Sequence, residues 1–190
     1  MSICITMPDP DLIYQETLDK LNRTALATKL EANRHNLLRV DIDRQRLTVY
    51  RGNALQADYS ISSSRFGVGQ SDGSHRTPLG IHRISEKFGD NEPSGTVFKA
   101  RQPLDRIVQP GASPDNEDVI TSRIIRLDGL QYGFNRDGDS DSHKRYIYIH
   151  GTQDEAHIGQ PASIGCIRMY NSDVIALYEM IEINDLVVIV

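Results

Sequence analysis

From residue 36 onward, apolar side chains recur at every second position. In NLLRVDIDRQRLTVYRG, Leu38, Val40 and Ile42 alternate with polar neighbours, and after Asp43–Gln45 the alternation resumes at Leu47 and Val49. A period of two is the mark of a strand with one buried face. Gly52 and Asn53 form a second turn signal, and Tyr59 and Ile61 carry a third strand. IHRISEKF, ITSRIIRLDGL and RYIYIHGT are further strand-like runs, and LVVIV reads as a buried strand near residue 190. Short strands bounded by turn residues predict a mainly β domain, an antiparallel sandwich or small barrel.

Two segments have a helical period. Tyr14, Leu18, Leu21 and Ala25 share one helix face, which predicts a helix within 12–34 packed on the outside of the β domain. In NSDVIALYEMIEIN, Val174, Leu177 and Ile181 form an apolar face, Asn171 is the expected N-cap and Asp173 suits the positive helix end. Residues 69–80 are too rich in Gly, Ser and Pro for regular structure. Residues 89–118 are rich in Pro, Gly and acidic residues and read as a surface excursion or lid. The expected division is a helical segment over 1–35 and one catalytic-type domain over 36–190.

Composition narrows the function classes. The 190 residues are 38% hydrophobic and 25% charged, with a net charge of −5, as in an ordinary soluble domain. No basic stripe points to nucleic acid. No apolar run approaches the roughly 18 residues of a membrane span, so no membrane insertion is expected. Near Met1 the prolines and aspartates of MPDPDL interrupt any apolar run, and the first basic residue is Lys20. That is unlike a secretory signal and leads to the expectation of a cytoplasmic protein. The two cysteines, Cys4 and Cys166, make no disulfide framework. The histidines lack metal-site spacing, the acidic run at 137–141 reads as a solvated turn, and no nucleotide fingerprint occurs, so no metal or cofactor is expected.

The stretch QPASIGCIRMY, 160–170, concentrates the candidate chemistry. A cysteine nucleophile needs a base, something to hold the base, and N–H donors for the oxyanion. Gly165 permits a sharp turn that would aim the N–H groups of Gly165 and Cys166 at a substrate. His150 stands at the expected end of the YIYI strand, before Gly151, and is the candidate base. Arg168, two residues after Cys166, is either a substrate-carboxylate partner or one half of a salt bridge. Ser163 either serves the turn or touches substrate. The alternative for Cys166 and His150 is a buried small hydrophobe and a surface histidine.

The combination HGT…SIGCIRMYNSDVIALYEMI resembles the catalytic stretch of the L,D-transpeptidase (YkuD) family. The family pattern has a histidine followed by a small residue, then Ser/Thr-His-Gly-Cys with Arg or Asn two residues on. TPLGIHRI at 77–84 is similar to the family's Thr-Pro-x-Gly strand, and the resemblance runs from about residue 38 onward. It implies a mostly β, sandwich-like fold without metal or cofactor. It also implies Cys166 as nucleophile and His150 as base, with the Gly151 carbonyl orienting the imidazole. Arg168, joined by Arg76, would hold substrate carboxylates. Ile164 stands where the family has histidine, which alters hydrogen bonding around the pocket. The implied partner is a peptidoglycan stem tetrapeptide or muropeptide. Combined with a cytoplasmic location, the expected activity is an L,D-carboxypeptidase trimming terminal D-alanine in muropeptide recycling. The alternatives are a transpeptidase that cross-links stems or exchanges their terminal D-amino acid, and a non-catalytic muropeptide-binding module.

Overall fold

A computed structural model describes residues 35–111 and 119–190. The helix expected within 12–34, and Cys4, lie outside the described residues. Among the described residues there are ten strands and one α-helix: β1 Asn36–Asp41, β2 Arg46–Arg51, β3 Ala54–Ser62, β4 Gly80–Phe88, β5 Thr96–Lys99, β6 Gln102–Ile107, β7 Ile120–Gly129, β8 Tyr148–Thr152, β9 Ile167–Met169, α1 Asn171–Met180 and β10 Leu186–Ile189.

The strands join one sheet in the order β4-β10-β1-β2-β3-β9-β8-β7, and β7 pairs back onto β4. Eight strands therefore close on themselves around one core. The fold is mainly β with sandwich-like packing, as expected, but the sheet is mixed. β1 pairs with β10, and β8 with β9, in parallel. The alternation fixes what faces inward: Leu38, Val40, Leu47, Val49, Ile61, Ile125, Leu127, Ile149, Ile167, Met169, Val187 and Ile189 belong to one buried cluster. A side chain of this kind contributes about 1.5–3 kcal/mol when fully buried.

Helix α1 completes the core through Val174, Leu177 and Tyr178, with Ile181 just beyond it. Asn171 is not its N-cap. Tyr170 holds that position, and Asn171 is the first helical residue. Its side chain is committed elsewhere: Nδ2 donates to Thr152 O at 2.8 Å, and Oδ1 accepts from Thr121 Oγ1 at 2.6 Å. The Asn171 N–H donates instead to Glu155 Oε1 at 2.7 Å, so a carboxylate from the loop after β8 caps the helix.

Within the span read as an excursion, the described residues 89–111 are more ordered than their composition implied. They contain the β5–β6 hairpin, which pairs with β7 through Val97–Thr121 and Phe98–Ile120. The β7 register shifts between Thr121 and Ile124, and Ser122 sits at φ +63°. This bulge turns β7 from β4 to β5 as its edge partner. The hairpin escaped the sequence reading because β6 is exposed throughout, which removes any alternation.

Candidate active site

The site lies on the outer face of the β8–β9 pair. The parallel register sets Ile149 opposite Ile167 and His150 opposite Arg168. Ile149 and Ile167 point into the core, so the odd-even alternation turns Tyr148, His150, Cys166 and Arg168 the other way. β8 continues to Thr152, so His150 is the middle residue of the strand, not its end. Cys166 immediately precedes β9. His150 and Cys166 form a diagonal pair on one sheet face.

His150 is buried, and its Nδ1 lies 2.8 Å from Gly151 O. A carbonyl only accepts, so Nδ1 carries the hydrogen and Nε2 keeps its lone pair. Gly151 has a packing reason to be glycine. A Cβ there would come within 2.7 Å of both Thr121 O and Asn171 Oδ1. The strand can present its carbonyl to His150 only because no side chain pushes β8 away from β7.

Cys166 is half-buried against Phe98, Ile124 and Tyr148. The Tyr148 N–H donates to its Sγ at 3.4 Å, and the thiol donates to Tyr146 O at 3.4 Å. The turn before it is pinned from several sides. Gly165 has φ +132°, a conformation that favours glycine. Thr77 Oγ1 donates to Gly165 O at 3.0 Å and accepts from Ser64 N at 3.0 Å. Ser163 Oγ donates to Cys166 O at 2.5 Å and accepts from Gly165 N at 3.3 Å. Ser163 thus serves the turn, and the Gly165 N–H points inward to it. The Thr-Pro-x-Gly segment and Ser-Ile-Gly-Cys are one hydrogen-bonded unit, although 88 residues separate Thr77 from Gly165.

The arginines are distributed differently from expectation. Arg168 is 3% exposed, and its Nη1 donates to Asp154 Oδ2 at 3.2 Å, which corresponds to the salt-bridge alternative. Arg76 is exposed, and its carbonyl accepts from Arg145 Nη2 at 2.7 Å. Arg145 went unnoticed in the sequence. Burial pulls its guanidinium below the usual arginine range, while the negative charges of Asp72 and Cys166 push it back up. Ile164 is half-exposed beside this turn. Among the described residues, no three His, Cys, Asp or Glu side chains converge as a metal site, and no helix is long and apolar enough to cross a bilayer.

A closed β ring that carries a cysteine and an imidazole on adjacent outer strand positions defines a class, and comparison with known proteins gives it a name. The family model of the L,D-transpeptidase catalytic domain (YkuD) matches residues 35–189. The chain belongs to that family. A Bacillus subtilis (strain 168) protein provisionally named the L,D-transpeptidase YqjB is 33% identical over 115 residues, which are 58% of this chain and 58% of that protein. An L,D-transpeptidase from Mycobacterium smegmatis superposes with a TM-score of 0.52 at 17% identity, covering 82% of this chain and 58% of that one. One from Xylanimonas cellulosilytica gives 0.51 at 16%, covering 82% and 60%. These structures share the fold. The chain spans less than two thirds of the length of each of these relatives.

Proposed function

We propose that this chain is a cysteine acyltransferase acting on peptidoglycan stem peptides, with an amine as its usual acceptor. The observation that carries this reading is His150 Nδ1–H fixed on Gly151 O beside Cys166. It leaves Nε2 able to take the thiol proton with no acidic side chain as orienter. The thiolate attacks the carbonyl carbon between the L-centre of a diamino acid and a terminal D-amino acid. Electrons move onto the carbonyl oxygen and return as the C–N bond breaks. The leaving amine takes the proton from His150, and a thioester remains on Cys166. An incoming amine, deprotonated by His150, then forms a new amide and frees the thiol.

Water in place of the amine would give a carboxypeptidase from the same acyl-enzyme. That expectation followed from a cytoplasmic location. The relatives named above carry transpeptidase names, which favours the amine. Mass spectrometry of a disaccharide-tetrapeptide incubated with the protein and excess D-methionine tests the choice. Exchange of the terminal D-alanine for D-methionine, absent in Cys166→Ala, is the expected result. Tripeptide alone would favour the carboxypeptidase. No product at all would refute acyl transfer on these stems.

A further inference from the structure

The β5–β6 hairpin turns through only two residues, Ala100 and Arg101, at φ +49° and +68°. Hairpins of this kind use Asn-Gly or Asp-Gly, because other L-residues are strained at positive φ. An arginine here costs stability, so its place at the tip calls for another reason. From the tip, the Arg101 side chain reaches the two tyrosines next to the cysteine. Arg101 Nη1 donates to the Tyr148 hydroxyl at 3.2 Å, and its guanidinium lies 5.4 Å from the centre of the Tyr146 ring. These are the two residues whose backbone groups hold the Cys166 sulfur. Among the described residues no acidic side chain lies within ion-pair distance of Arg101; Glu86 acts on it only from further off and is itself paired at 2.6 Å with Arg126, on the same Tyr146 ring. With Arg168 tied to Asp154, Arg101 is the half-exposed cation that faces the thiol pocket from the hairpin side.

We propose that Arg101 holds the terminal carboxylate of the acyl donor, placing the scissile carbonyl over Cys166; this rests on the acyl-transfer reading above. A peptide α-carboxylate suits a guanidinium that keeps donors to spare after its bond to Tyr148. The residue is then specific for donors ending in a free acid.

Two measurements on the full chain test this with Arg101→Asn and Arg101→Lys. Asparagine tolerates positive φ, so the first variant should melt no lower than wild type. The first measurement needs no peptide: Cys166 alkylation by iodoacetate, relative to iodoacetamide. Loss of a charged hydrogen bond should lower that ratio about tenfold in Arg101→Asn, with partial recovery in Arg101→Lys. An unchanged ratio overturns the proposal. The second compares a tetrapeptide acid with its C-terminal carboxamide. Arg101→Asn should lower kcat/KM about tenfold for the acid and leave the carboxamide unchanged. Equal losses on both donors would make Arg101 a structural residue and overturn the proposal. If the alkylation ratio falls but wild type turns over neither peptide, the anion site stands and the acyl-transfer reading fails.

Discussion

The two faces of the β8–β9 pair share a backbone and differ in everything else. Inward, Ile149, Ile167 and Met169 are fully buried among aliphatic side chains. Outward, His150, Cys166 and Arg168 meet carbonyls, a carboxylate and aromatic rings. One face is held by area removed from water, the other by directed polar contacts. The period of two keeps them apart, so packing and chemistry can be altered separately at positions one residue apart.

That separation is open to a sharp test. Cys166→Ala should abolish thioester formation, on the order of 10⁴-fold or more, with little change in stability. Ile149→Ala should do the reverse. A cavity at a fully buried site costs about 2–5 kcal/mol, while the folded fraction retains its turnover. Denaturant titration and acyl-enzyme mass spectrometry on both variants read the two quantities. Equal destabilisation by both would end the distinction between the faces.

A second contrast is between His150, offered to the pocket, and His82, sealed inside. His82 has no exposure; its Nδ1 is 3.1 Å from Gly80 O and its Nε2 is 2.9 Å from Ser142 Oγ. Burial lowers its pKa to about 4. The unfolded chain, with an ordinary value near 6.5, binds the proton more readily, so stability rises with pH across this window. We expect full stability above about pH 6.5 and a loss of up to about 3 kcal/mol as pH falls toward 4. A His82→Gln variant should show a shallower decline; an identical slope would mean that other groups carry it.

The smaller effect falls on the join between the two regions. Thr77→Val keeps shape and removes the bonds to Ser64 N and Gly165 O. We expect a loss of about 1–3 kcal/mol from the buried groups left unsatisfied. The Cys166 alkylation rate should fall as well, since the turn before it loosens. A stability loss with unchanged alkylation would confine Thr77 to the scaffold.

What was legible in the sequence followed from periodicity. β1 to β3, β8 and α1 each have an apolar face that repeats at two or at three to four residues, and β4, β7 and β10 stand out as apolar runs. The signature around SIGC located the candidate cysteine and histidine and named the family. The β5–β6 hairpin left no trace, because β6 has no buried face and the turn uses Ala-Arg in place of a glycine signal. The closure of β7 onto β4 is a long-range pairing that no local window contains. Asn171 had the look of a cap, yet tertiary partners from β7 and β8 claim its side chain. Arg145 and Tyr146 open the RYIYIHGT run, which reads only as a strand; nothing local ties them to Cys166, and only the folded chain brings them there.

The position of β10 has a consequence for how this protein is made. That strand, Leu186–Ile189, fills the slot between β1 and β4. On the ribosome β1 and β4 emerge early and wait without their common neighbour. The ring therefore cannot shut until Leu186–Ile189 has left the ribosome and is free to pair. The thiol of Cys166 precedes that strand by some twenty residues, on a sheet that still lacks β9 and β10. A pause before that last strand would prolong the interval in which a nascent chain carries an open edge and an unguarded sulfur.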